Sequence, residues 1–263
     1  MKTIVAENCI IIKKVPMGGD ICYFELGPFS KVKSIKPGQF VHVQIPCCNV
    51  FFRRAFSVYD VDTEAGTLGI LFKMFGRGTE AMAEKKKGDR LNILGPLGNG
   101  FRIPSKKESI ILAAGGIGMP PLYMLTKTLI NKGYSKEKIF FFYGAMSKSD
   151  LADTKRIKKL GVKVYLSTDD GSAGFGGFVT DAIKKELPNI NGRRRLYACG
   201  PEGMLKAANE FALDLQIPGQ LSLEAPMPCG IGICLGCIKP LVKGGNTRVC
   251  REGPVYDIGE VVL

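Results

Sequence analysis

Residues 109–121 read SIILAAGGIGMPP. An uncharged apolar run ends in paired glycines, and two prolines follow. The run suits a strand buried on both faces, and Pro120 and Pro121 suit the first turn of a helix. MPPLYMLTKTLINKG, residues 119–133, continues with helical spacing. Strand, glycine turn and helix start, in that order, are what a dinucleotide-binding turn requires. Amides at the helix start face a pyrophosphate, and glycines let it come close. The stretch is not a full G-x-G-x-x-G, because Pro121 fills the last position. Its weight comes from its context, and Gly115, Gly116 and Gly118 are the candidate contacts.

The same texture extends over residues 105–219. KIFFFYGAM (138–146), VKVYLSTDD (162–170) and RRLYACG (194–200) read as strands. LADTKRIKKLG (151–161), TDAIKKELP (180–188) and PEGMLKAANEFALDLQIP (201–218) read as helices between and after them. Strand–helix alternation at this pace predicts a parallel sheet covered on both faces. LYACGPEGM would set Cys199, Gly200 and Pro201 at the carboxyl edge of that sheet, where ligands gather in open α/β folds. A plain strand-to-helix turn is the competing reading.

From Met1 to Pro104 the chain instead reads as short strands broken by Gly and Pro, which predicts a small antiparallel barrel or sandwich. RRAFS, Arg53–Ser57, places an arginine and a serine hydroxyl near a strand edge, a combination able to hold a phosphate or a flavin. KMFGRGTEAM, residues 73–82, adds a glycine turn, Thr79 and a short helix, which suits an anion. Turn chemistry alone would explain either. Residues 220–263 are rich in glycine and cysteine with little helix signal. The expected division is therefore 1–104, 105–219 and 220–263.

The chain has 263 residues, 45% hydrophobic and 23% charged, enough apolar material for real cores. Its net charge of +13 (37 − 24) includes the short basic runs Lys85–Lys87 and Arg193–Arg195, which read as solvated loop charge. There is no aromatic-interleaved basic stripe, so no nucleic-acid partner is expected. A positive field could still assist phosphate-rich cofactors or an acidic partner. No apolar run is long enough for a membrane span. The opening MKTIVAENCIIIKKV carries Glu7, Lys13 and Lys14 and alternates like a strand rather than a signal peptide, so a cytoplasmic protein is expected. The single histidine, His42, argues against a triad or a histidine-rich zinc centre and reads as structural.

In that compartment clustered cysteines hold metal or carry redox chemistry more often than disulfides. PCGIGICLGCIKPLVKGGNTRVC, residues 228–250, holds Cys229, Cys234, Cys237 and Cys250. The C-x4-C-x2-C…C spacing is that of plant-type [2Fe–2S] centres, and Gly230, Gly232 and Gly236 let amides turn toward sulfur. Zinc sites usually use two short cysteine knuckles, and the distal half here offers only Cys250. Cys9, Cys22, Cys47 and Cys48 lie in or beside apolar strands and read as core residues or bystanders.

The order of motifs, R-x-F-S and G-x-G-T, then GGIG, then CGP, resembles the ferredoxin–NADP reductase superfamily. The tail, with C-G-x-G-x-C-x-x-C followed by V-C-R-E-G-P-V-Y-D, is similar to that of the electron-transfer subunits of NAD-dependent (class 1B) dihydroorotate dehydrogenase. The resemblance implies FAD in the barrel, NAD in the middle domain and [2Fe–2S] in the tail. It also implies an FMN-containing catalytic subunit that oxidises dihydroorotate, in a heterotetramer with two copies of each subunit. The family's flavin motif falls on Arg54, Ala55, Phe56 and Ser57, with Ala55 in place of the usual proline. Its next flavin-contacting strand falls on Leu71, Phe72 and Lys73, and its G-T pair on Gly78 and Thr79. The cluster ligands fall on the four tail cysteines, and Cys199 would approach the nicotinamide and flavin edge. Such folds pair a one-electron centre with a flavin because nicotinamide takes only hydride. The small subunit of bifurcating NADH-dependent ferredoxin–NADP oxidoreductases is a near relative, distinguished by an aspartate among its cluster ligands. A zinc-stapled adaptor is the non-enzyme alternative. Residues Ser147, Lys148 and Asp150 leave NAD against NADP undecided, whereas the resemblance favours NAD.

Overall fold

A computed structural model describes residues 3–45 and 50–263. Cys47 and Cys48 lie outside the described residues.

The first six strands close into an antiparallel barrel. They are β1 (Val5–Pro16), β2 (Ile21–Gly27), β3 (Phe40–Val43), β4 (Arg54–Asp62), β5 (Thr67–Lys73) and β6 (Arg90–Leu97), in the order β1-β2-β5-β4-β3-β6. Period-two alternation sets their faces. Cys9 and Ile11 point inward and are fully buried, while Ile10 and Ile12 between and beyond them are exposed. Val41 and Val43 fill the barrel, whereas Phe40 belongs to the core on its outer side. The short helix α1 (Arg77–Ala83) follows β5.

The chain then alternates strand and helix: β7 (Ser109–Gly115), α2 (Met119–Asn131), β8 (Ile139–Ala145), α3 (Thr154–Lys158), β9 (Lys163–Thr168), β10 (Phe175–Gly176), α4 (Val179–Glu186), β11 (Arg194–Cys199) and α5 (Glu202–Asp214). The strands form a parallel sheet in the order β10-β9-β8-β7-β11. Burial on both faces explains the unbroken apolar run of β8, IFFFYGA, in which every residue is buried. Each of its phenylalanines contributes roughly 1.5–3 kcal/mol by leaving water.

Two further strands extend this sheet. β12 (Gly219–Ser222) pairs in parallel with β11, and β15 (Val255–Asp257) pairs antiparallel with β12. Between them runs a loop segment holding the small hairpin of β13 (Ile238–Pro240) and β14 (Asn246–Arg248). Cys237, Val249 and Cys250 share a core with Phe40 and Leu97 of the barrel and Leu221 of the sheet. The cysteine-rich segment is thus clamped between barrel and sheet rather than hanging from the end.

The barrel is braced to the sheet by a polar cluster. Arg156 lies over the rings of Tyr23, Tyr59 and Tyr123 and donates to Asp60 at 2.7 Å. Asp60 also pairs with Lys127, and Tyr59 donates to Asp153 at 2.7 Å. The carboxylate on the barrel is held by two cations from helices of the sheet domain, so it is not buried unpaired. Among the described residues no helix is long and apolar enough to cross a membrane.

Candidate functional site

Two clefts meet at the end of β11. The first, of ≈ 580 Å³, runs along the barrel. Arg54, Ala55, Phe56 and Ser57 of β4 line it, together with Leu71, Phe72 and Lys73 of β5 and Thr79 of α1. Adjacent antiparallel strands place these sequence-distant residues on one wall. Cys199 lines its far side. The second cleft, of ≈ 530 Å³, lies over the sheet. Gly115, Gly116 and Pro201 line it, with Gly144 and Asp169 from neighbouring strand ends. Lys73 and Ile117 line both clefts, so the two are contiguous.

Three predicted glycines do not line either cleft. A Cβ on Gly118 would lie 2.3 Å from the carbonyl oxygen of Cys199, and one on Gly200 would lie 3.0 Å from Gly115 Cα. Gly118 and Gly200 are glycine because backbone meets backbone where β7 and β11 end together. Gly78 is buried in α1 beside the Arg54 side chain, 3.4 Å from where a Cβ would stand. Thr79 Oγ1 accepts from the Phe75 amide at 2.6 Å and donates to the Gly76 carbonyl, closing the turn before α1.

Cys199 is 3% exposed. Burial pushes its thiol up, and the carboxylate of Glu224 adds to the effect. It is therefore held as the neutral thiol, not as a nucleophilic thiolate. Glu224 itself lines the barrel cleft with Ser222. Desolvation raises its carboxyl, although part of the residue stays open to solvent. Sequence reasoning missed Glu224. The signal available was its place just past a short strand at the carboxyl edge of the sheet, the rule already applied to Cys199.

Lys148 does not line the dinucleotide cleft, and Asp150 is already paired. Lys73 donates to it at 2.9 Å and Ser147 at 2.8 Å, and both hold its carboxyl below the ordinary range. Asp169, at the end of β9, lines the same cleft and forms no ion pair among the described residues.

The four tail thiols stand in two pairs. Cys237 Sγ lies 3.3 Å from Cys250 Sγ, and Cys229 lies beside Cys234 on the preceding loop, close enough for the two thiols to affect one another's ionisation. Among the described residues no three ligand side chains converge on a position for a single ion. Pairs are what a two-iron core takes, two thiolates to each iron. The loop also supplies donors. Desolvation opposes ionisation of Cys229, but the amides of Cys234, Ile231 and Ile233 outweigh it and bring the thiol down to about 6. Cys250 is pushed up to about 12 by burial and by the neighbouring thiols of Cys237 and Cys229, against the amide of Gly232. Gly230 and Gly232 take φ of 69° and 84°, which turns the loop back on itself. Thiols in pairs, ringed by amides, fit an iron–sulfur cluster.

A closed antiparallel barrel joined to a parallel sheet, with a cleft on each meeting at one strand end, is the fold of ferredoxin reductase-like flavoprotein oxidoreductases. Residues 8–115 match the oxidoreductase FAD-binding domain, 112–210 the oxidoreductase NAD-binding domain and 224–262 the iron–sulfur cluster binding domain of dihydroorotate dehydrogenase B. The chain is 38% identical over 264 residues to the dihydroorotate dehydrogenase B (NAD(+)) electron transfer subunit of Fusobacterium nucleatum, covering 98% of each. It is 37% identical to that of Desulforamulus reducens, covering 86% of each. Among solved structures, an NADH-dependent reduced ferredoxin-NADP oxidoreductase studied for flavin-based electron bifurcation superposes with a TM-score of 0.83 at 30% identity, over 97% of this chain and 89% of that one. The ferredoxin reductase of carbazole 1,9a-dioxygenase, at 21% identity and a TM-score of 0.67, shares the fold over 81% of this chain and 67% of its own. The chain belongs to the family of dihydroorotate dehydrogenase B (NAD(+)) electron transfer subunits. It is an oxidoreductase subunit whose domains serve FAD, NAD and an iron–sulfur cluster.

Proposed function

We propose that this chain accepts electrons from the FMN of a dihydroorotate dehydrogenase catalytic subunit and delivers them to NAD+. The route runs through a [2Fe–2S] cluster on Cys229, Cys234, Cys237 and Cys250, then through FAD. FAD, when bound, exchanges single electrons on one side and hydride on the other. One observation carries the reading: the three sites are contiguous. Ala225 and Met227, just ahead of Cys229, line the barrel cleft. Across that cleft Cys199 lines the barrel side, and Pro201 lines the sheet side.

Within this reading, Arg54–Ser57, Leu71–Lys73 and Thr79 line the flavin site, and Gly78 packs beside the Arg54 side chain. Gly115, Gly116, Gly118, Gly200 and Pro201 build the nicotinamide-nucleotide turn. Cys199 would lie beside the edge where flavin and nicotinamide meet and help exclude water there. Glu224 is the one carboxyl lining the barrel cleft among the described residues. The domain division follows at 1–104, 105–219 and 220–263, with β12 and β15 tying the last part to the sheet. Ile233 and Leu235 are 73% and 53% exposed on the cluster loop and supply an apolar face for the catalytic partner. We assign the complex two copies of each subunit, in the cytoplasm, where clustered thiols escape oxidation.

Mixing the purified chain with a dihydroorotate dehydrogenase catalytic subunit from the same organism is expected to make dihydroorotate reduce NAD+, followed at the NADH absorbance. Turnover restored only by a bifurcating partner would instead favour the second reading, which the four thiols, with no aspartate among them, count against.

The choice of NAD rests on Asp169. Asp169 lines the cleft and forms no ion pair among the described residues, so its carboxylate would accept a ribose hydroxyl and repel a ribose phosphate. Asp169→Ser is expected to shift the ratio of kcat/KM values toward NADPH by about tenfold, worth roughly 1.4 kcal/mol. An unchanged ratio in steady-state dye reduction would remove Asp169 from that role.

A further inference from the structure

We propose that His42 donates a hydrogen bond from its ring N–H to a sulfur of the iron–sulfur cluster and thereby sets the cluster's reduction potential. The proposal rests on the [2Fe–2S] reading of the four tail cysteines.

His42 is the only histidine in the chain. It lies on β3, where Val41 and Val43 point into the barrel and the alternate residues, Phe40 and His42, point outward. It is fully buried all the same, because the cluster segment covers that face. Neither ring nitrogen meets a hydrogen-bond partner among the described residues. An imidazole buried this way normally has one, since an unsatisfied polar group costs on the order of 1–3 kcal/mol.

The geometry places the ring against the cluster loop. A Cβ placed on Gly230 would stand 2.5 Å from His42 Cε1, 2.7 Å from Nδ1 and 2.9 Å from Nε2. Such near-equal distances put the residue following Cys229 over the face of the imidazole, and they leave the in-plane nitrogens open to an acceptor carried by the cluster loop. Only glycine fits there. The cross-strand neighbours of His42 are Ala55 and Leu94, and Phe40 packs beside it with ring centroids 5.6 Å apart. None of these side chains can accept a hydrogen bond. The nearby charged group is Arg53, itself donating to the carbonyl and side-chain oxygens of Asn92.

Burial, and secondarily Arg53, push the imidazole down to about 4, so it is neutral and keeps one N–H donor. Cluster sulfurs carry negative charge and are strong acceptors, and hydrogen bonds to them are one of the determinants of potential. One-electron reduction, centred on iron, would make the cluster more negative and so strengthen a hydrogen bond to its sulfurs. The donor therefore raises the potential, easing electron arrival from the partner.

A single histidine makes the test clean. Protein grown on 15N-histidine carries one labelled side chain. In pulsed EPR of the dithionite-reduced protein, a 15N hyperfine coupling absent from unlabelled material is expected. A reduced-cluster signal with no such coupling overturns the proposal while leaving the cluster reading intact. The absence of any cluster signal overturns the cluster reading and this proposal with it. In EPR-monitored titrations, His42→Leu is expected to lower the equilibrium constant for cluster reduction about tenfold, or 59 mV for one electron. His42→Gln, which keeps an N–H, is expected to restore most of it. A His42→Leu protein that is less stable but has an unchanged potential would mean that His42 only packs. If that variant does not fold, the labelling result on the unaltered chain decides.

Discussion

Cys234→Ala is expected to give a yellow protein that has lost its iron and acid-labile sulfide to background, yet is still bleached by NADH at the unaltered rate. Cys234 is the exposed member of the four thiols, so its removal leaves the core intact. It is one of two thiolates for its iron, and a [2Fe–2S] core held by three thiolates loses its grip on that metal. The barrel and sheet clefts share no lining residue with Cys234, so NADH still meets the flavin. In the assembled complex, dihydroorotate-dependent NAD+ reduction then falls to background while NADH-driven dye reduction survives. Cys250→Ala is expected to lose the cluster as well, and also to lower Tm. That thiol is 1% exposed and packs in the core shared by barrel and sheet, so truncation opens a void there. A Cys234→Ala protein that keeps full iron and sulfide would overturn the ligand assignment.

Cys199→Ala is the complementary case. The expected result is slower flavin reduction by NADH, by about 10- to 100-fold in stopped-flow, with FAD content unchanged. The thiol is held neutral by burial, so its contribution is position rather than charge. It closes the gap between the two clefts, and a hydride donor and acceptor lose rate steeply when displaced by an ångström. Its backbone also carries weight. Gly118 packs against the Cys199 carbonyl, a contact that alanine preserves. The cluster should remain, with its EPR signal unaltered. Wild-type kinetics in this variant would remove Cys199 from the reaction.

These two expectations separate the chain's two halves of chemistry, and they differ in how far sequence alone reaches. The cysteine spacing, the SIILAAGG strand and its glycine turn, and the shift from short strands to strand–helix alternation were all legible. Each is a local pattern: ligand spacing, apolar periodicity, and residues that only certain backbones accept. That residues of β4 and β5 come together on one cleft agrees with the motif order that carried the family resemblance.

The contact of Cys237 with Cys250 was not legible, because spacing fixes proximity but not partners. Ser147, Lys148 and Asp150 left NAD against NADP undecided. Lys73, 77 positions away in sequence, pairs with Asp150, and Asp169 lines the cleft with no ion pair among the described residues. Glu224 reached the barrel cleft only because β12 adds to the sheet beside β11. His42 read as a structural histidine, and nothing in FVHV says that its ring meets a glycine 188 residues further on.

The sequence by itself determined the kinds of element and the ligands available, since propensity, periodicity and side-chain chemistry act over a few residues. Tertiary structure decided which charges cancel, which glycines serve packing rather than a ligand, and which imidazole is buried against the cluster loop. Those outcomes depend on distances of a few ångströms between segments far apart in the chain, and only the closed barrel docked on its sheet sets them.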